Sequence, residues 1–208
     1  MPRLLLPIAL LVLVLAGAIA TDAPSPDADY VVAEANDPFT LDPQRMSYSQ
    51  DLRLCYALYE GLVRWDNHTF DIIPAAAKSW EVSPDGRTYT FHLRPDARWS
   101  NADPVTAHDF VYSWRRAILP DTAADYTALY FHIEGAEEFF QWRSEALEAY
   151  AARPAGERTR EAAEALWRET LDHFNRTVGL RAHDDRTFEV RLARNTPFFL
   201  ALAAFGTF

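Results

Sequence analysis

The chain has 208 residues, 49% of them apolar, and a formal net charge of −10. This length and apolar content suit one or two globular domains and exclude a disordered chain. The acidic balance argues against nucleic acid and anionic membranes as partners. Cys55 is the single cysteine, so no internal disulfide can form, and we interpret it as a small buried apolar residue rather than a reactive thiol.

The N-terminus has the pattern of an export signal. Arg3 precedes an almost wholly apolar run over 4–17, and the Ala-Ile-Ala sequence at 18–20 fits the small-x-small cleavage pattern. We therefore predict a signal peptide over 1–20, a flexible tether over 21–29 and a periplasmic or other extracytoplasmic location. No cysteine stands at the junction, so we expect no lipoprotein. An uncleaved anchor is the alternative, because the apolar run approaches the length of a spanning helix.

The next part of the chain mixes strand and helix patterns. We predict a first strand over 30–36 and a helix over 49–59. Pro74 is expected to open a short helical turn over 75–79. Two further helices are predicted over 134–153 and 158–173. Strand patterns resume over 179–183 and 187–192, and a last helix follows Pro197. The fold class is therefore α/β.

Residues 79–114 predict a hairpin followed by a capped helix. A Pro-Asp-Gly sequence at 84–86 supplies the turn, since Pro presets φ and Gly tolerates a positive φ. Apolar residues alternate with polar ones over 88–93, as in a half-buried strand. Thr106 and Asp109 resemble a capping box, with Asp standing where Glu or Gln is usual.

Motifs that carry chemistry are absent from the sequence. There is no Gly-x-Ser-x-Gly, no His-Glu-x-x-His, no phosphate-cradling Gly run and no Cys-x-x-Cys. The histidines have no ligand spacing, so we predict no metal site and no cofactor. We conclude that the chain is not an enzyme. The six histidines are His68, His92, His108, His132, His173 and His183.

Several segments, in their order along the chain, closely resemble the solute-binding proteins of ABC importers for oligopeptides, the oligopeptide- and dipeptide-binding family 5. The resemblance departs over 141–178, which looks like a helical insertion, and at Ala102, where the family usually has Gly. We interpret Ala102 as a position that does not need a positive φ here. The matching segments are Asp37-Pro38-Phe39-Thr40-Leu41-Asp42-Pro43, Leu58-Tyr59-Glu60-Gly61-Leu62-Val63, Tyr89-Thr90-Phe91-His92-Leu93-Arg94, Trp99-Ser100-Asn101, Asp103-Pro104-Val105-Thr106-Ala107, Asp109-Phe110, Gly179-Leu180-Arg181-Ala182 and Thr196-Pro197-Phe198-Phe199.

The resemblance implies a periplasmic-binding-protein-like fold of type II, two-lobed with an extra small domain. It implies that 30–60 and 179–208 are parts of lobe I and that 61–178 is the small inserted α+β domain. The chain would then be an incomplete N-terminal portion, with the second ligand-gripping lobe following Phe208.

The resemblance also implies which residues bind a ligand. Ser47, Tyr48 and Ser49 resemble the segment whose backbone pairs with an extended peptide, and Tyr126 aligns with a cleft tyrosine. The implied function is binding without chemistry: a monomeric receptor closes over an oligopeptide and delivers it to ABC permease subunits in the membrane. Relatives of this fold also bind nickel chelates, sugars or opines, so another solute is the alternative, and an extracytoplasmic hydrolase is a further one.

Overall fold

The computed structural model describes residues 7, 10–14 and 31–208. It contains two compact units, Met1–Ala35 and Asn36–Phe208. In the first unit residues 10–14 are helical, while the predicted cleavage site at 18–20 and the tether at 21–29 lie outside the described residues. Across the described ranges, no helix combines the length and the apolar character needed to cross a membrane.

The predicted first strand is wrong over its described residues. Residues 31–36 have no strand assignment, and neither of the sheets formed by the described residues contains them. A segment becomes a strand only where a neighbouring strand pairs with its backbone N–H and C=O groups.

The second unit opens with a 3-10 turn, Pro43–Arg45, and helix α1, Ser49–Leu58. The predicted helix over 49–59 is therefore confirmed. Two short strands follow, β1 at Val63–Trp65 and β2 at Ile72–Pro74, and they pair antiparallel with each other.

A four-stranded antiparallel sheet forms the centre of this unit. Its strands are β3 at Ala77–Val82, β4 at Thr88–Leu93, β5 at Leu180–Asp184 and β6 at Thr187–Arg191, in the order β3-β4-β6-β5. The helical turn predicted over 75–79 is wrong, because β3 occupies its second half and pairs with β4.

The sheet also bears on the predicted domain boundary between residues 178 and 179. Strand β6 pairs with β4 along its whole length, from Thr88 opposite Arg191 to His92 opposite Thr187. A boundary at 178/179 would cut through this sheet, so residues 180–191 belong to the same structural unit as β3 and β4. The assignment of the chain to lobes stays a prediction.

Helix α2, Ala107–Ile118, covers the sheet and packs its apolar stripe into the core. The alternation predicted for 88–93 is confirmed, since every second residue of β4 is buried. At the centre lies the fully buried Trp114, whose ring meets four others edge-on, at centroid distances of 5.1 Å to Phe188, 5.2 Å to Phe208, 5.9 Å to Tyr130 and 6.4 Å to Phe199. Edge-on pairs of this kind are favourable beyond their area burial.

Local chemistry fixes the ends of these elements. Gly86 has a φ of 67°, and its N–H donates to the Ser83 carbonyl at 2.8 Å, which closes the predicted hairpin turn. At the start of α2 the Asp109 carboxylate accepts from the Thr106 N–H at 2.7 Å and from the Thr106 hydroxyl at 2.9 Å, as the capping-box pattern predicts.

The interpretation of Ala102 is wrong. Its φ is 73°, and its N–H donates to the Trp99 carbonyl at 2.8 Å in a tight turn. The turn before α2 therefore places an alanine in the left-handed region, where its Cβ is strained and glycine is not.

The two helices predicted beyond residue 134 are present as α3, Ala136–Ala151, and α4, Arg160–Thr177, and a short α5 follows at Phe199–Ala203. Arg143 of α3 is buried and attaches this helical hairpin to the rest of the unit. Its guanidinium forms two bonds with the Asp121 carboxylate, at 2.8 and 3.0 Å, and donates to the Thr170 hydroxyl at 2.9 Å.

Candidate ligand-binding site

The stretch that leads into α1 is extended and exposed. Met46 and Tyr48 have φ/ψ values of −84°/115° and −84°/149°, and Ser47, Tyr48 and Ser49 are all exposed to solvent. We call residues 46–48 the pre-helix segment. Within residues 31–208, the backbone N–H groups of Ser47 and Tyr48 have no hydrogen-bond partner. An extended backbone with free N–H groups can pair with an incoming strand.

A cluster of polar groups holds the chain just before the pre-helix segment. The Arg116 guanidinium of α2 donates to both carboxylate oxygens of Asp42, at 2.8 and 2.5 Å, and to the Gln44 side-chain carbonyl at 2.5 Å. The Gln44 amide donates in turn to the Ser113 hydroxyl at 3.1 Å and to the Ser113 carbonyl. Bidentate hydrogen bonds between an arginine and a carboxylate are strong and fix the relative orientation of the two side chains. The Met46 side chain beside this cluster is fully buried.

The electrostatics of the pair agree with its geometry. The hydrogen bonds from Arg116 hold the pKa of the Asp42 carboxyl below its usual value, although partial burial acts in the opposite direction. The Asp42 side chain raises the pKa of the Arg116 guanidinium in return. Both groups are therefore charged over the whole physiological pH range.

A second set of contacts lies on the other side of the pre-helix segment. The Phe39 N–H donates to the Asp51 carboxylate at 2.8 Å, and the Phe39 ring lies 5.8 Å from the Tyr48 ring. The Tyr59 hydroxyl donates to the Leu41 carbonyl at 3.1 Å. These contacts return the loop from 39 to 48 onto α1, so the pre-helix segment lies between two attachment points.

Tyr126 lies in a different environment. It is half-buried, and its ring meets the Phe205 ring edge-on at 4.9 Å. Gly206, which follows Phe205 in the chain, contacts α1. Its N–H donates to the Tyr56 hydroxyl at 3.2 Å, and its carbonyl accepts from the Cys55 thiol at 2.9 Å. Tyr126 is thus placed against the 205–206 stretch that packs on the second half of α1.

A groove of about 540 Å³ opens beside this contact between α1, β1 and the last residues of the chain. Aromatic rings supply much of its wall, and polar groups lie at its edge. The groove can therefore take a ligand with both apolar and polar groups. Its aromatic, charged and amide side chains are Tyr56, Tyr59, Trp65, Phe205, Phe208, Glu60, Arg64 and Asn67.

The cysteine in this groove is not reactive. Cys55 is 1% exposed, and burial raises the pKa of its thiol to about 11. The thiol therefore stays protonated and donates to a carbonyl, whereas nucleophilic chemistry needs the thiolate. The interpretation of Cys55 as a buried apolar residue is confirmed.

The structure therefore divides the predicted site residues into two groups. Ser47, Tyr48 and Ser49 form one exposed stretch, whereas Tyr126 packs on Phe205. No hydrogen bond or ring contact joins the two groups in the described part of the chain. Their role in ligand binding stays a prediction.

Sequence reasoning missed the residues that support this stretch. In the sequence, Asp42 stands out only as part of a segment that resembles the family, and neither Gln44 nor Arg116 has a predicted role. Asp42 does carry a local signal, since Asp before Pro caps a short helical turn, and its carboxylate accepts from the Gln44 N–H at 3.2 Å. Arg116, 74 residues away, carries none.

Among the described residues, no three or more His, Cys, Asp or Glu side chains lie close enough to hold a metal ion.

Comparison with known proteins identifies the family. The model of the bacterial extracellular solute-binding proteins, family 5, middle region, matches residues 71–207. The chain belongs to this family. The resemblance seen in the sequence is thereby confirmed. The family and its named members are described as binding proteins, in agreement with the prediction that the chain is not an enzyme.

Individual members of family 5 resemble long stretches of the chain. The periplasmic oligopeptide-binding protein OppA of Haemophilus influenzae is 42% identical over 120 residues, which is 57% of this chain and 22% of that protein. The probable deoxycholate-binding periplasmic protein YgiS of Escherichia coli is 31% identical over 174 residues, 83% of this chain and 27% of that protein. The chain therefore spans about a quarter of the length of these relatives.

A solved structure supports the same conclusion about the fold. The structure of Listeria monocytogenes OppA bound to peptide superposes with a TM-score of 0.65 at 30% identity, over 84% of this chain and 28% of that one. The predicted α/β, periplasmic-binding-protein-like fold is confirmed. The family is named as extracellular, and OppA of H. influenzae and YgiS are named as periplasmic, which agrees with the predicted extracytoplasmic location.

Proposed function

We propose that the whole protein is the extracytoplasmic solute-binding receptor of an ABC transporter, and that it binds oligopeptides and delivers them to a membrane permease. The observation that carries this proposal is the pre-helix segment, which offers extended backbone with free N–H groups at the surface. Main-chain pairing gives affinity for a peptide whatever its side chains are, which suits a receptor for mixed sequences.

The comparisons support a peptide as the ligand. One relative is named an oligopeptide-binding protein, and one structural neighbour is described as bound to peptide. In this proposal the pre-helix segment pairs with the peptide backbone, Tyr126 lines the cleft, and a second lobe closes over the ligand about a hinge. The receptor is exported by a cleaved signal peptide, carries no lipid anchor and acts as a monomer.

A different solute is the second candidate. YgiS is named as a probable deoxycholate-binding protein, and its match covers 83% of this chain. A cleft of about 450 Å³ with apolar walls lies between α1 and α2 and includes Leu58, Trp99 and Phe110. An apolar wall of this kind suits a sterol-like ligand better than a peptide backbone.

A thermal-shift panel on the full-length protein separates these candidates. Mixed-sequence peptides of two to nine residues are compared with deoxycholate, nickel chelates, sugars and opines. We expect the melting temperature to rise with peptides, since a ligand that binds only the folded state stabilises it. A rise with deoxycholate, a sugar or a chelate, and none with peptides, would overturn the peptide assignment.

A proline substitution tests the backbone pairing directly. Ser47→Pro removes one of the free N–H groups, and one main-chain hydrogen bond is worth about 0.5–1.5 kcal/mol. We therefore expect the peptide Kd, measured by calorimetry on the full-length protein, to rise roughly 2- to 10-fold. Ser47→Ala is the matched control, because it keeps the N–H and removes only the hydroxyl. Equal losses in the two variants would contradict pairing through the backbone.

A further inference from the structure

Arg116 connects two parts of the chain that are distant in sequence. It lies in the last turn of α2, yet its guanidinium bonds to Asp42 and Gln44, 74 and 72 residues earlier. Three of its hydrogen bonds reach these two side chains, at 2.5 to 2.8 Å. Because the guanidinium is planar and rigid, such an arrangement fixes the direction of the backbone that carries its acceptors.

The chain that Arg116 holds leads directly into the pre-helix segment. Only Arg45 separates Gln44 from Met46, and the chain here is a single 3-10 turn, Pro43–Arg45. Within the described part of the protein, the pre-helix segment belongs to neither sheet, so no ladder of backbone hydrogen bonds fixes its course. Its course depends on the buried Met46 side chain and on the attachments at its two ends, and Arg116 supplies three of the hydrogen bonds at the first end.

The neighbouring arginine shows that this contact is specific. Arg115 is half-buried on the same helix, but its guanidinium lies over the rings of Phe174, at 5.5 Å, and Tyr112, at 5.7 Å. It points away from the loop that Arg116 holds. Two adjacent arginines of equal charge therefore have different partners, and only one of them bonds to the loop before the pre-helix segment.

We infer that Arg116 is a positioning residue for ligand binding: through Asp42 and Gln44 it holds the pre-helix segment in the extended form that pairs with a peptide. The inference rests on the proposed function. Arg116 itself does not touch the ligand. When it is removed, the segment samples other conformations, and apparent affinity falls in proportion to the fraction of molecules that retain the competent form.

The test compares Arg116→Met with Arg115→Met in the full-length protein. Peptide Kd is measured by calorimetry. Amide hydrogen exchange is followed in the ligand-free state at Gln44 and Arg45, whose N–H groups donate to Asp42 in the turn that leads into the pre-helix segment. If the released segment is competent about a tenth of the time, Arg116→Met raises the Kd about tenfold and speeds exchange at residues 44 and 45. Arg115→Met leaves both quantities close to those of the wild type. Arg116→Lys keeps the charge but loses the bidentate geometry, and we expect its Kd and its exchange rate to fall between those of the wild type and Arg116→Met.

The outcomes separate this inference from the proposed function. If the wild type binds peptide and Arg116→Met binds equally tightly, the positioning role is overturned while the proposed function stands. If the wild type binds no peptide, the proposed function fails, and exchange at Gln44 and Arg45 then decides whether Arg116 orders the chain that leads into the segment: faster exchange in Arg116→Met supports it and unchanged exchange refutes it. Equal effects of Arg115→Met and Arg116→Met would show a general loss of α2 packing and would also overturn the inference.

Discussion

Helices α1 and α2 lie in the same unit but are held in different ways. Helix α2 buries five of its twelve residues, namely Ala107, Phe110, Trp114, Ala117 and Ile118. Helix α1 buries only Asp51 and Cys55 of its ten, and leaves Tyr56 and Leu58 exposed at 55% and 60%. Directed polar bonds hold α1 and the loop before it: Phe39 to Asp51, Cys55 to Gly206, and Arg116 to Asp42.

Packing and hydrogen bonding therefore have different roles in the two parts of this unit. Burial of rings is non-directional and gives the sheet and α2 their stability. Polar bonds contribute less free energy but specify geometry, which is what a backbone-pairing segment requires. We call the four-stranded sheet, α2 and the turn before α2 the scaffold. The scaffold should be sensitive to the loss of buried side-chain volume, and the pre-helix segment to the loss of single hydrogen bonds.

The largest expected effect tests the scaffold. Trp114→Ala removes a fully buried ring, and its indole N–H has no partner among the described residues, so the loss is one of packing. We expect the free energy of unfolding, measured with urea on the full-length protein, to fall by about 3–5 kcal/mol. Trp99→Ala is the control, because Trp99 is 46% exposed. A loss below about 1 kcal/mol for Trp114→Ala would contradict a scaffold held by packing.

A smaller effect of opposite sign concerns backbone strain, which lies in the scaffold rather than in the pre-helix segment. Ala102 has a φ of 73°, whereas Met46 and Tyr48 both have −84°. Ala102→Gly relieves this strain, and we expect it to raise the free energy of unfolding by about 0.5–1 kcal/mol. Ala165→Gly, at an exposed position inside α4, should lower it by a similar amount, since glycine destabilises a helix interior. A loss of stability in Ala102→Gly would show that the turn carries no strain.

The smallest effect is a pH dependence of the Asp42–Arg116 pair. The folded protein lowers the pKa of Asp42 below its ordinary value of 3.8, so the carboxylate stabilises the fold above that value, and the contribution is lost as the pH falls through the lowered pKa. The side chains are 26% and 36% exposed, so solvent screens the pair and the effect stays under about 1 kcal/mol. The wild type should exceed Asp42→Asn in stability at pH 7, and the gap should close below about pH 4. A gap that is constant down to pH 3 would mean that the charge on Asp42 is unimportant.

Patterns confined to a few neighbouring residues were predictable. The Pro-Asp-Gly turn ending at Gly86, the burial of alternate residues in β4 and the Thr106–Asp109 capping box all follow from local sterics and hydrogen bonding. Patterns that depend on a distant partner were not. Residues 31–36 begin with an apolar run but pair with no strand of the described residues, and 77–79 became a strand because β4 lies beside them.

The sequence by itself determined the family, through segments matched in order, and the kinds of element that the chain forms. It also determined which stretch could pair with a peptide backbone, although that role is still to be tested. The tertiary structure alone decided that residues 180–191 share a sheet with β4 and that Arg116 bonds to Asp42. The physical reason is the distance along the chain between the interacting residues. Local patterns record the preferences of adjacent residues, whereas contacts across 74 residues depend on how all the elements pack together.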